Sequence, residues 1–356
     1  VAVIFLEANP PMPLRDEILE QPAILARLLS SAMPAVERIA AGLRGRPIDY
    51  VFLAARGTSD NAGLYAKYLW GAFNRLPVAL ATPSLFTLYE QPPRLSRCLV
   101  VGVSQSGQSP DIVGVLAEGR RQGCPTLAIT NEPDSPLAQV ADFVIDIQAG
   151  VEAAVAATKT YTAELMAIAM LSVALAEDST RRVLLAGVPD WAAQVLEPEE
   201  RIAQAAARYR FMQQCVVLGR GYNYSTAYEW SLKLKELAYV LAAPYSSADF
   251  LHGPIALVER GFPVMAVAPG GRVYHAMLDL LDQLRNQHQA ELLVISDEGR
   301  ALSLAQTPIR LPPGIPEWLT PLISILPAQL FCYHLTRERG YDTEAPRTIR
   351  KVTRTH

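Results

Sequence analysis

The stretch Val100-Val-Gly-Val-Ser-Gln-Ser-Gly-Gln-Ser-Pro-Asp111 decides how the rest of the chain is read. Residues 98–103 form an apolar, valine-rich run that predicts a buried parallel strand, and the periodic residues 112–116 predict a helix. Between them lies a hydroxyl-rich turn. A turn from strand to helix presents unpaired backbone N–H groups at the positive end of a helix dipole, and Ser104, Ser106 and Ser109 add neutral donors beside them. Gly107 lets the backbone come close, while the missing Lys-Ser or Lys-Thr pair argues against a nucleotide P-loop. The pattern points to a phosphate carried by something smaller than a nucleotide. An ordinary N-cap in a polar loop is the competing reading.

Working outward, residues 50–55 predict a short strand, and Arg56-Gly-Thr-Ser-Asp-Asn61 is a second polar turn that opens a helix running to Phe73. Residues 78–81, 126–130 and 143–147 predict further strands. Alternation of strands with helical segments predicts a parallel sheet wound by βα units, with ligands outside the carboxyl ends of its strands. Ahead of it, residues 15–43 carry apolar residues at helical spacing, with Pro22 and Pro34 as candidate breaks.

The pattern then recurs. Arg220-Gly221 after the run 215–218 matches Arg56-Gly57, and Val267 before Pro269-Gly-Gly271 matches Val103 before the serine loop, both at an offset of 164 residues. This predicts two copies of one α/β unit, joined by a helical segment at 164–176 and a polar stretch to Glu200. The second loop lacks the hydroxyls, so one sugar-sized site per chain is expected.

A formal net charge of -3 over 356 residues, with no basic stripe interleaved with aromatics, gives nucleic acid nothing to bind. The four cysteines sit in or beside apolar runs, which favours buried free thiols and a cytoplasmic location. The apolar start, residues 1–6, lacks a basic region and is too short for a signal peptide, and residues 165–176 are too short to span a bilayer. No membrane association is expected. Neither is a metal or redox cofactor: the histidines lack ligand spacing, and Gly219-Arg-Gly221 lacks the third glycine of a dinucleotide fingerprint.

Three constellations carry chemistry. In Glu229-Trp-Ser-Leu-Lys-Leu-Lys-Glu236, the residues Glu229, Lys233 and Glu236 share one helix face. They are either a proton-transfer pair beside a ligand or ordinary ion pairs on a solvated helix. His252, in Phe250-Leu-His-Gly-Pro254, is either a general acid or base, or a buried loop histidine. The basic tail, residues 345–354, is either a solvated terminus or a segment folded over a pocket, where a lysine could meet a keto sugar or an oxyanion.

Taken together, these motifs resemble the sugar isomerase (SIS) family, and within it the isomerase half of glucosamine-6-phosphate synthase. The resemblance runs from Glu17-Ile-Leu-Glu-Gln-Pro22 through Gly57-Thr-Ser59, Ser104-Gln-Ser-Gly107, Ala157-Thr-Lys159, Leu232-Lys-Leu-Lys-Glu236 and His252-Gly-Pro254 to Pro346-Arg347 and Lys351. It implies two SIS-type α/β domains, each a parallel sheet flanked by helices: an arm at 1–45, a first domain at 46–190, a second at 191–340 and a closing tail at 341–356. Thr58, Ser59, Ser104, Gln105, Ser106, Ser109 and Val155 then resemble the phosphosugar-binding set. Glu236 resembles the base that moves a proton between C1 and C2, Lys233 its helper, His252 the ring-opening residue and Lys351 the lysine at the sugar carbonyl. Because the family's histidine comes from the neighbouring subunit, the resemblance also implies a homodimer with shared sites.

Four departures stand out. Few residues precede the first repeat and no cysteine precedes Cys98, so the expectation is of a chain that does not itself draw ammonia from glutamine. Lys351-Val-Thr lacks the serine that follows the lysine in the synthase and is closer to the stand-alone deaminase/isomerase branch. Ser109 stands for a threonine and Ala157 for a serine. The expected activity is therefore that of an aldose-ketose isomerase/deaminase, taking an aminosugar phosphate such as glucosamine 6-phosphate to fructose 6-phosphate and ammonia. A synthase-type isomerase using ammonia or a partner glutaminase, and a phosphosugar sensor without turnover, are the alternatives.

Overall fold

A computed structural model describes residues 14–351. Two five-stranded, all-parallel sheets carry the chain. The first contains β1 (Tyr50–Ala54), β2 (Val78–Leu80), β3 (Cys98–Val103), β4 (Thr126–Thr130) and β5 (Phe143–Asp146), in the order β2-β1-β3-β4-β5. The second contains β6 (Gln214–Gly219), β7 (Leu241–Ser246), β8 (Pro263–Val267), β9 (Glu291–Ser296) and β10 (Thr307–Arg310), in the order β7-β6-β8-β9-β10. The two orders are the same winding. The 164-residue offset holds in three dimensions, since Tyr50 and Gln214 open β1 and β6 while Phe143 and Thr307 open β5 and β10.

Strand β3 is buried along its whole length, which is why it reads as an unbroken apolar run. One face of each sheet contributes to a continuous core that also contains the helices Gln21–Arg44, Thr58–Asn74, Lys159–Ala176, Tyr224–Leu237 and Thr320–Glu338. Helix Pro110–Arg121 covers the outer face of the first sheet, and Tyr274–Asn286 that of the second. The helices Lys159–Ala176 and Thr320–Glu338 are apolar on nearly every side. By length and composition they could cross a membrane, but 89% and 94% of their apolar windows are buried inside the protein, the signature of core helices.

Some local expectations change. The N-terminal arm breaks at Glu20, ahead of Pro22, into Leu14–Leu19 and Gln21–Arg44, but Pro34 lies inside the second helix without ending it. The segment after residue 176 is not merely a polar linker: it folds into helices Ser179–Leu185, Val188–Leu196 and Glu199–Arg208. All four cysteines are buried and free, and Cys98 and Cys124, distant in sequence, meet with their sulfurs 3.6 Å apart. The apolar start, the Pro-rich lead at 9–13, and Val352 and Thr353 of the tail lie outside the described residues.

Candidate active site

In the winding β2-β1-β3 the order of strand addition reverses between β1 and β3, and the crevice at their carboxyl ends is where such sheets take ligands. Two loops flank it. The first, after β1, leads through Gly57 into helix Thr58–Asn74, and the second, after β3, leads through Ser109 into helix Pro110–Arg121. Neither N-cap residue bonds its helix through its side chain, although in the second helix Asp111 Oδ1 accepts from Ile112 N at 2.9 Å. Inside the second loop Ser104 Oγ accepts from Gly107 N at 3.1 Å, and Ser106 Oγ from Gln108 N at 3.3 Å, which leaves each hydroxyl hydrogen to donate elsewhere. Gly107 has φ +60°, and a Cβ there would meet Ser135 Oγ at 2.1 Å; no other residue fits.

The second repeat completes the crevice. Its helix Tyr224–Leu237 packs on Thr58–Asn74 and brings Lys233 and Glu236 to the cleft. The cleft has a volume of about 350 Å³ and is lined by Thr58, Ser59, Ser104, Gln105, Ser106 and Ser109 on the phosphate side. Val155, Ala157, Lys233, Glu236, Ile349, Arg350 and Lys351 line the rest, with Arg56 and Gly57 at the loop entrance. Every candidate residue from the sequence except His252 and Glu229, which is buried behind Lys233, is therefore brought to one cavity of a single chain. His252 is exposed, outside that cleft, which removes the reading of a buried loop histidine.

Lys233 is not on a solvated helix face. Its side chain is 1% exposed, with Nζ 2.7 Å from Glu236 Oε2, 3.3 Å from Glu229 Oε1 and 3.1 Å from Thr58 Oγ1. Burial works against the ammonium, but the two carboxylates outweigh it and hold the pKa above the ordinary lysine range. Burial pushes the Glu229 carboxyl up, while Lys233 and the amide of Asn61, donating at 2.7 Å, pull it back. Glu236 is the partly exposed member, open to the cleft. The result is a cation fixed behind a carboxylate that faces the ligand space.

The tail closes one side. Lys351 Nζ lies 2.5 Å from Glu152 Oε2, and the Glu152 carboxylate also accepts from Thr158 N, Thr160 N and Thr160 Oγ1 at 2.9 to 3.1 Å. Glu17 accepts from Ala153 N at 2.6 Å and so ties the N-terminal arm to the loop that carries Val155. Sequence reasoning missed Glu152, Arg56 and Asp111. The partner of Glu152 is 199 residues away, so no local spacing signals it, whereas Arg56 opens a polar turn already singled out.

The matching position in the second repeat is closed to anions. Arg272 N and Val273 N donate to the Glu317 carboxylate at 3.0 and 3.4 Å, and Gly270 N donates to Asp297 at 2.8 Å. The chain's own acids take the donors that the first repeat leaves open. Ala72, 164 residues before Glu236, lines that counterpart cleft together with Tyr68, Phe73, Tyr222 and Trp318. Among the described residues, no group of three or more His, Cys, Asp or Glu is arranged to hold a metal ion.

Residues 47–174 and 212–339 each match the SIS domain. The glutamine–fructose-6-phosphate aminotransferase (isomerizing) of Gloeobacter violaceus is 35% identical over 351 residues, covering 94% of this chain and 57% of its own length. The chain thus spans little more than half of that curated relative. Among solved structures, a protein of Silicibacter pomeroyi DSS-3, provisionally assigned as a phosphosugar isomerase, is 36% identical with a TM-score of 0.81, covering 93% of this chain and 99% of that one. The C-terminal domain of glucosamine-fructose-6-phosphate aminotransferase from Francisella tularensis is 26% identical with a TM-score of 0.85, covering 94% and 98%.

Proposed function

The chain belongs to the SIS domain family, and from that premise we propose that it is an aminosugar-phosphate isomerase/deaminase, converting glucosamine 6-phosphate or a close relative to a ketose 6-phosphate and ammonia. The observation that carries this reading is the placement of Glu236, backed by Lys233, in the same cleft as the open serine loop. A binding protein has no use for a proton acceptor held against a buried cation.

The phosphate sits on the serine loop, where hydroxyls and two helix N-termini donate to it. With the sugar in its open-chain form, Glu236 takes the proton from C2 while O1 gains one, and the electron pair moves into a C1–C2 double bond. Glu236 then returns its proton to C1 as the amino group loses one, leaving an imine at C2. Water adds to that imine and ammonia leaves, giving the ketose 6-phosphate. Lys233 stays charged throughout and steadies the Glu236 carboxylate, and the Lys351 ammonium answers the negative charge that develops at O1. Ring opening falls to His252, which lies outside the cleft of its own chain and in this reading serves the site of a partner subunit in a homodimer. Run in reverse with free ammonia, the same steps make an aminosugar phosphate.

The test is release of ammonia and ketose 6-phosphate from a panel of aminosugar 6-phosphates differing in epimer and N-substituent. Turnover of at least one, with equal amounts of both products, is expected. Release of ketose phosphate without ammonia from unaminated aldose phosphates would make the chain a plain isomerase, and tight binding without any turnover would make it a sensor.

A further inference from the structure

The serine loop offers only neutral donors, yet a phosphate monoester near neutral pH carries between one and two negative charges. The balancing charge has to come from elsewhere in the cleft. Two of its cations are committed, Lys233 to Glu229 and Glu236, and Lys351 to Glu152, while Arg350 stands on the tail and not beside a phosphate loop. Arg56, at the end of β1 and at the mouth of the first polar loop, is paired as well, with Asp111, but that pair leaves guanidinium donors beside the loop unused.

Its position is fixed by the phosphate helix itself. Arg56 Nε donates to Oδ2 of Asp111 at 2.8 Å; Asp111 has no exposed surface, and Arg56 keeps 46% of its side chain open. Asp111 lies in the first turn of helix Pro110–Arg121, two residues beyond Ser109. That bond uses a single N–H of a guanidinium fork, whose other donors suit a second oxyanion. Asp60 also faces Arg56: burial pushes the Asp60 carboxyl up and the guanidinium pulls it back. In the second repeat the matching arginine, Arg220, turns its Nη1 to Ser247 Oγ at 3.4 Å, beside a loop that Glu317 has already filled. An arginine meets an open anion loop in the first repeat only.

We propose that Arg56, oriented by Asp111, is the cationic arm of the phosphate site and makes it selective for doubly charged phosphate esters over uncharged sugars. The inference rests on the reading that the serine loop holds the phosphate. Lengthening of a neutral donor set by one charge-assisted contact strengthens binding without touching the proton transfer at Glu236.

The experiment uses the full chain with inorganic phosphate as the probe, read by calorimetry and by competition against turnover, and compares Arg56→Gln, Arg56→Lys and Ser104→Ala at two salt concentrations. Arg56→Gln should raise the phosphate Kd and the sugar-phosphate KM about 10- to 100-fold, leave kcat within about threefold, and flatten their salt dependence. Arg56→Lys, which keeps the charge without the fork, should fall between. If Ser104→Ala weakens phosphate binding while Arg56→Gln changes neither Kd nor its salt dependence, Arg56 merely braces Asp111; the proposal fails and the phosphate reading stands. If phosphate does not bind wild type, or Ser104→Ala has no effect, both fail together. Should Arg56→Gln not fold, Arg56→Ala takes its place, and wild-type Kd with wild-type salt dependence in that variant overturns the proposal by itself.

Discussion

The ammonium of Lys351 lies 2.5 Å from the carboxylate of Glu152, a side chain with no exposed surface. A basic tail is thereby seated on the loop that brings Val155 to the cleft, by a contact whose carboxylate is buried and whose lysine is 24% exposed. Removing one partner of a buried pair leaves the other charge uncompensated, so the tail has a strong preference for this seat.

Glu152→Gln should release that tail. Turnover is expected to fall by up to about 100-fold, because a displaced Lys351 no longer reaches the reacting oxygen, while phosphate binding on the far side of the cleft holds. Limited tryptic digestion reads the same event directly, through faster cleavage after Arg347 and Arg350. Cleavage and turnover equal to wild type would mean that the tail closes the site without this pair.

Glu17 reports on the same loop through pH. Burial, together with the charge of Glu152, pushes its carboxyl up from an ordinary 4.5 to about 7, against the opposing pull of Ala153 N and Lys159. A carboxyl raised in the folded state holds its proton more tightly folded than unfolded. Its stabilising contribution is whole below about pH 4.5 and is lost as pH rises through about 7. Glu17→Gln imitates the protonated form and has no such loss. Denaturant titrations across this window should therefore show the variant gaining on wild type, on the order of 3 kcal/mol by about pH 8. A stability difference that does not move with pH would show Glu17 ionised throughout.

A shared site makes a distinctive prediction for His252. His252→Ala and Glu236→Gln should each be nearly inactive alone, but a mixed dimer regains one intact site. Random reassortment of equal amounts should recover about one quarter of wild-type activity. Mixing that restores nothing, after subunit exchange is verified by mass, would place His252 outside the mechanism.

Legibility in the sequence follows the range of the interactions. Strand β3 and its loop are legible because a fully buried strand must be apolar throughout and the turn after it must be small and polar. The repeat is legible because both copies keep one spacing from β1 and β6 to β5 and β10. Strand β7 is harder to see: it contains Pro244, which a central strand would exclude, and it survives because β7 lies at a sheet edge. Pro34 reads as a helix end, yet the apolar stripe from Ile24 to Leu43 packs so fully that the helix continues past it. At the site, hydroxyls on a loop and charges on one helix face are local patterns. Glu152 with Lys351 and Arg56 with Asp111 are pairs made only by folding.

Glu236→Gln tests the central claim most directly. A positioned general base contributes on the order of 100- to 10,000-fold, and Glu236 acts only as the proton leaves carbon, so the variant should lose kcat in that range while a titration with sugar phosphate shows affinity little altered. Thermal unfolding should confirm an intact fold, since glutamine keeps the size of the side chain and a hydrogen-bond acceptor for Lys233. Wild-type turnover in Glu236→Gln would contradict the account, because the cleft would then bind a phosphosugar without this carboxylate moving its proton.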